Sequence, residues 1–203
     1  MFDDPTTGIM VAIVVGALLL CLVPVWAFLA RSYRSVPPGR ALLLTGTAGT
    51  RVIRDGGALV LPIVHRADTL DLSVRTVTIQ SVGPDGLSCR DGIRADCEAV
   101  FHVRINAVTE DILQVAASVG ADRASEPETL DALFGAKFAG ALKSVASSLE
   151  FDDLMADRER FRDEVLQVVG QDLNGYVLDD LCIDRLTQTP LSELDPNNVK
   201  DAE

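Results

Sequence analysis

The chain has 203 residues, 48% of them apolar and 24% charged, with a formal net charge of −12. That length holds one domain with a little to spare, and the apolar share excludes intrinsic disorder. The acidic balance argues against nucleic acid as a partner and against docking on anionic lipid through a polybasic face, since both need clustered Lys and Arg.

Taken in chain order, the first thirty residues hold no Lys or Arg and only two acids, Asp3 and Asp4. Residues 8–30 carry no charge at all and span roughly 35 Å as a helix, enough to cross a hydrocarbon core. Ile9, Val11, Leu18, Leu19, Leu20, Val23, Trp26 and Phe28 are the expected anchor residues of a transmembrane helix. Pro24 lies inside it, which membrane helices tolerate. Trp26 and Tyr33 fall near one end, where aromatic rings prefer the interface. A cleaved signal peptide fits less well: the apolar region is too long, the residues before it are acidic, and no clean A-x-A site follows. Asp3 and Asp4 precede the segment, and Arg31, Arg34 and Arg40 follow it. The positive-inside rule therefore predicts an extracytoplasmic stub over 1–7, a juxtamembrane linker over 31–40 and a cytoplasmic domain beyond.

Ser35-Val36-Pro37-Pro38-Gly39 reads as a stiff linker. Residues 41–44 and 51–53 read as short strands joined by a glycine turn over 46–49, and Asp55-Gly56-Gly57 as another turn. Residues 58–64 form an apolar run broken by Pro62, which confines it to an edge or a bulge. Two readings stay open for Leu59, Val60, Leu61, Pro62 and Ile63: a buried strand, or a shallow dip into the membrane beside the anchor. Leu70, Leu72 and Val74 alternate with polar residues, then the phase slips by one before Val77 and Ile79, as a bulge within one strand would produce. Asp85-Gly86 and Asp91-Gly92 are hairpin-type turns around a short strand over 87–90. The clearest strand follows. Ile93, Ala95, Cys97, Ala99, Phe101, Val103 and Ile105 take its core face, and Arg94, Asp96, Glu98, His102, Arg104 and Asn106 the other.

The chain then turns helical. Thr109 is the expected N-cap of a helix closed by Gly120. Ser125 and Glu128 read as a capping box around Pro127. Leu130, Phe134, Phe138, Ala141, Val145 and Leu149 make the apolar stripe of the next helix. Asp157 caps another, with Phe161, Val165, Val168 and Val169 inward, and Gly175 is expected to end it. Its outer residues carry mixed charge: a solvated face, or an oligomer face through Arg158, Glu159, Arg162 and Asp163. Residues 177–186 return as a strand, and 188–203 form a polar tail. Strands first and helices later predict an α+β domain, mostly antiparallel sheet packed with helices, over 41–187.

The chemistry-bearing residues form no recognisable catalytic pattern. The two histidines, His65 and His102, stand on strand-like segments without a nucleophile at motif spacing. No G-x-S-x-G, H-E-x-x-H or Walker A sequence is present. Gly46-x-x-Gly49 lacks the Lys and Ser/Thr of a phosphate loop. Asp152-Asp153 suits a helix N-terminus better than an acid/base dyad. The four cysteines, Cys21, Cys89, Cys97 and Cys182, form no CxxC pair, and Cys97 reads as a buried thiol. The expectation is a protein with no catalytic residues, no metal and no cofactor.

The order of these segments resembles the SPFH (band 7) superfamily, on its flotillin-like branch. Val36-Pro37-Pro38-Gly39-Arg40-Ala41-Leu42-Leu43 resembles the opening of that domain. The run from Gly56-Gly57 through Pro62 to His65-Arg66 resembles its glycine turn, apolar run and fixed proline. Residues 85–105 resemble its D-G hairpin strand, Asp157-Arg158-Glu159-Arg160-Phe161 its D-R-x-x-F helix, Asn174-Gly175-Tyr176-Val177 its closing strand, and Asp195-Pro196-Asn197-Asn198-Val199 the segment after it. The resemblance implies an N-terminal transmembrane helix followed by an SPFH domain, and a single-pass scaffold that oligomerises at the inner face of the cell membrane and organises lipid and protein microdomains. The implied partners are membrane lipids, further copies of the chain and an NfeD-type membrane protein. A regulatory subunit of a membrane protease is the alternative. Family members continue into an Ala/Glu-rich coiled coil, so the expectation is a form that stops at Asp201-Ala202-Glu203, where that region would begin.

Overall fold

The computed structural model describes residues 5–46, 49–60, 65–170, 172–190 and 192, with side chains described for all of these except 5–13, 17, 25, 29 and 172. Residues 1–4 of the expected stub, the turn residues 47–48, the run 61–64, and residues 191 and 193–203 of the expected tail lie outside the described residues; residues 5–7 of the stub belong instead to the first helix, Gln188 to the last strand, and Thr189 is buried. The chain divides into two compact units, Met1–Asp68 and Thr69–Glu203.

The first unit begins with helix α1, Pro5–Ser32, which carries Pro24 internally. Four strands follow: β1 (Tyr33–Ser35), β2 (Arg40–Gly46), β3 (Gly49–Ile53) and β4 (Gly57–Leu59), with β5 (Arg66–Asp71) starting at its end. β2 and β3 form an antiparallel hairpin with Leu42 opposite Ile53 and Leu44 opposite Arg51, and β2 lies between β3 and β5. Ala41, Leu42 and Leu43 are all buried, the continuous apolar pattern of a strand covered on both faces.

The expected linker over 31–40 is shorter than its sequence implies. Only residues 36–39 connect β1 to β2, because the chain passes from α1 into β1 without a loop. β1 pairs antiparallel with β4, Tyr33 opposite Leu59, Arg34 opposite Ala58 and Ser35 opposite Gly57. Backbone bonds close both ends of this ribbon: Val60 N–H donates to the Ser32 carbonyl at 2.8 Å, and Val36 N–H to the Gly56 carbonyl at 2.9 Å.

The second unit holds β6 (Arg75–Ser81), β7 (Leu87–Ser88), β8 (Arg94–Ile105), β9 (Asp172–Leu173) and β10 (Tyr176–Gln188), with helices α2 (Thr109–Ser118), α3 (Pro127–Ala146), α4 (Phe151–Ala156) and α5 (Arg158–Val169). The sheet order is β6-β8-β10-β9, with β7 also on β8. The registers of β6, β7 and β10 on β8, and of β9 on β10, are antiparallel. The architecture is the expected α+β one. The core face of β8 is buried at Ala95, Cys97, Ala99, Phe101, Val103 and Ile105. Phe101 stacks on Phe138 of α3 with ring centroids 4.2 Å apart, and Phe134 meets Tyr176 edge-on at 5.1 Å. The Tyr176 hydroxyl donates to the Ala124 carbonyl at 2.8 Å, which satisfies its polar end inside the core.

Several local expectations are corrected. The phase slip after Val74 is not a bulge: β5 and β6 are separate strands in different sheets, broken at 72–74. The Asp71 carboxylate stabilises the break by accepting from Ser73 N–H at 3.0 Å and from Arg75 Nη2 at 2.9 Å. Thr109 is the first residue of α2, not its cap. Ser125 does not cap α3 either; its hydroxyl donates to the Asp71 carbonyl at 2.8 Å. Gly170, at φ 77°, ends α5. Gly175 instead shares a hairpin turn with Asn174, both at positive φ, the backbone that an Asn-Gly pair supplies between two strands. Val168 is more than half exposed. Asp96, assigned by alternation to the wet face of β8, is buried. Its carboxylate accepts from Gly83 N–H at 2.9 Å and from the Thr189 hydroxyl at 2.6 Å.

Candidate membrane anchor and assembly surfaces

The candidate anchor is α1. Over Val14–Ser32 its mean hydropathy is 2.2, and of the side chains described there only Ser32, its last residue, is buried. Leu18, Leu19, Leu20, Val23, Trp26 and Phe28 are all exposed. Consecutive residues step about 100° around a helix, so Leu18 to Leu20 show that the apolar surface runs all the way round. A helix packed on a globular core keeps one polar face; this one has none. Ile9 and Val11 belong to the same helix, with side chains outside the described residues. The last turn closes when the Ser32 hydroxyl donates to the Phe28 carbonyl at 2.8 Å.

At the helix exit Arg31, Arg34 and Arg40 are exposed. Between them stands the β1–β4 ribbon. Tyr33 and Leu59, directly opposed, are both exposed large side chains, while Val60 is buried. Leu61, Pro62 and Ile63 lie outside the described residues, so the two readings of the 58–64 run keep only their first residues here. A Cβ added at Gly57 would come within 2.5 Å of the Tyr33 ring and 2.9 Å of the Arg34 carbonyl. Glycine at 57 is what lets the tyrosine lie across the ribbon. The roles of Tyr33 and Gly57 in one ribbon escape sequence reading, because a three-residue strand carries no periodic signal.

The α5 surface places Arg158, Glu159, Arg162 and Asp163 outward. Its charges are partly paired within the helix: Arg162 with Asp163 at 3.1 Å and Arg160 with Glu164 at 2.9 Å. The Asp157 side chain accepts from Arg160 N–H at 3.0 Å and caps the helix as predicted.

The remaining chemistry-bearing residues are not brought together. His102 lies mid-strand in β8 between Thr76 and Asp180. His65 stands just before β5, its Nδ1 enclosed without a hydrogen-bond partner among the described residues. Asp152 and Asp153 occupy the first turn of α4. Burial pushes the Cys89 thiol up to about 11 and Cys97 up to about 12, which makes both poor nucleophiles. Among the described residues no group of three His, Cys, Asp or Glu is placed to hold a metal ion.

The SPFH domain / Band 7 family pattern matches residues 34–190. The chain is 32% identical over 176 residues to the flotillin family inner membrane protein YqiK of Escherichia coli, covering 86% of this chain and 32% of that protein. It is 27% identical over 197 residues to a flotillin family inner membrane protein of Synechocystis, covering 94% and 29%. It is 24% identical over 178 residues to the flotillin-like protein FloT of Bacillus subtilis, covering 80% and 33%. The chain thus spans about a third of the length of these relatives. With an apolar helix leading without a loop into the matched region, the chain belongs to the SPFH domain / Band 7 family, among its flotillin-like bacterial membrane proteins.

Proposed function

We propose that the chain is a non-enzymatic, single-pass scaffold that self-associates at the inner face of the cell membrane and gathers lipids and proteins into microdomains. The observation that carries this reading is α1, apolar on every side and joined through β1 to the family domain. The acids before the helix and the arginines after it support a cytoplasmic domain. In this account the anchor confines each domain to a plane. Contacts that are weak in solution become strong there through effective concentration. The exposed Arg158, Glu159 and Asp163, with the half-buried Arg162, are the proposed contact face between copies, and an NfeD-type membrane protein is the proposed partner.

Cys182, exposed on β10, gives the test of anchor and side. A membrane-impermeant maleimide applied to intact cells should leave Cys182 unlabelled until the membrane is permeabilised, and the chain should stay with the membrane through alkaline carbonate extraction. Labelling in intact cells would reverse the orientation, and release by carbonate would remove the anchor.

A further inference from the structure

The overall charge of −12 conceals a strong segregation. From residue 31 to Asp68 the chain carries six arginines, no lysine and only two acids, Asp55 and Asp68, a net of +4. Thr69–Glu203 carries twelve basic and twenty-six acidic residues, a net of −14. The arginines next to α1 are also used differently from several of those in the second unit. In the second unit Arg75, Arg90, Arg104, Arg160 and Arg162 each meet a carboxylate at 2.6–3.1 Å. In the first unit Arg66 meets Asp68 at 3.2 Å, but Arg31, Arg34, Arg40 and Arg51 are exposed, and no carboxylate among the described residues holds these four. Folding leaves these guanidinium groups for something outside the chain.

From this we infer that Arg31, Arg34 and Arg40 form a binding site for the headgroups of anionic phospholipids in the leaflet where α1 ends. The inference rests on the reading of α1 as a membrane helix. The 19 residues of Val14–Ser32 rise roughly 28 Å, about one hydrocarbon thickness, so Arg31 comes out at the headgroup level. Arg34 follows within a turn's distance and is held there by pairing of β1 with β4. A turn closed by Arg40 N–H on the Pro37 carbonyl at 3.3 Å brings Arg40 to the start of β2. A guanidinium forks onto two phosphate oxygens and stays charged at any physiological pH. Each such arginine at an anionic surface is worth about fivefold in local lipid enrichment at moderate salt. Acidic composition, read over the whole chain, argues against such a site; read over the membrane-proximal part alone, it does not.

Trp26, the single tryptophan, sits about 7.5 Å from Arg31 along the helix and reports the local lipid. The full chain is reconstituted in vesicles of phosphatidylcholine with a minor fraction of phosphatidylglycerol, and either lipid is supplied brominated. Per mole, brominated phosphatidylglycerol should quench Trp26 several-fold more strongly than brominated phosphatidylcholine. The difference should shrink as salt rises from about 0.1 M to 1 M, where screening shortens to roughly 3 Å. The triple variant R31Q/R34Q/R40Q should quench equally with both lipids, and R31K/R34K/R40K should keep much of the preference. Equal quenching of the native chain by both lipids, or a preference that survives the glutamine variant, would overturn the site. Quenching by neither lipid would overturn the membrane helix itself.

Discussion

At the residue scale, the buried carboxylate of Asp96 is the most consequential side chain that alternation misplaces. It joins the turn at Gly83 to Thr189, ninety-three positions away from Asp96 in sequence. Thr189 is bound a second time, its N–H donating to the Arg94 carbonyl at 3.0 Å, so the end of β10 is fixed to the start of β8. Asp96→Ala would orphan a buried N–H and remove a charge-assisted bond. A loss of about 2–3 kcal/mol in unfolding free energy is expected by denaturant titration, against about 1 for Thr189→Val. A strand pattern of period two records only which face a residue takes. It cannot record that a polar side chain on the outer face finds its partners and becomes buried.

The two buried thiols make a second residue-scale prediction. Folded Cys89 and Cys97 sit at about 11 and about 12, raised chiefly by burial, while an unfolded thiol titrates near about 8.5. Between these values the unfolded chain has lost protons that the folded chain keeps. Stability from this source is therefore complete below about pH 8 and falls as pH rises through about 9 to 12. Unfolding free energy measured against pH should show that decline, and Cys97→Ala should make it shallower. A slope unchanged by the substitution would mean that other groups cause it.

At the element scale, legibility followed periodicity and length. The twelve-residue strand β8 and the stripe of α3 announce themselves because each repeats its pattern several times. Leu130, Phe134, Phe138, Ala141, Val145 and even Leu149, beyond the helix end, are buried as read. The break between β5 and β6 mimics a bulge because both give the same one-residue slip; only the Asp71 contacts distinguish them. Helix ends carry a weaker signal. Capping residues compete for other partners, as Ser125 does in bonding Asp71, and a Gly five residues too late looks as good a stop as Gly170. The ribbon of β1 and β4 had no local signature at all, since its stability comes from pairing and from the space beneath Tyr33. Gly57→Ala should therefore open it. Hydrogen exchange at the Val36 and Val60 amides should accelerate, while exchange in β8 stays unchanged. Protection retained at both amides would show that the ribbon tolerates the added Cβ.

At the scale of the whole molecule, charge and hydropathy are laid out along the chain in order: an apolar helix, an arginine-rich unit, then an acidic α+β unit. The long apolar helix is legible from composition, because no periodicity is needed to recognise a long stretch without charge. The family was legible from the order of weak motifs, and the match over residues 34–190 establishes it. The proposed contact face carries no such signature in the sequence. Mixed charges on α5 look alike whether they face solvent or a second copy, and Arg162–Asp163 and Arg160–Glu164 already offer each other partners.

In the proposed function, a membrane-anchored chain builds an array through contacts of its own domain. The mass of the nanodisc- or detergent-extracted chain by light scattering tests it most directly. A large homo-oligomer of defined mass is expected, reduced toward smaller species when Arg158, Glu159, Arg162 and Asp163 are replaced together by Ala. A monomer at every protein concentration would contradict it.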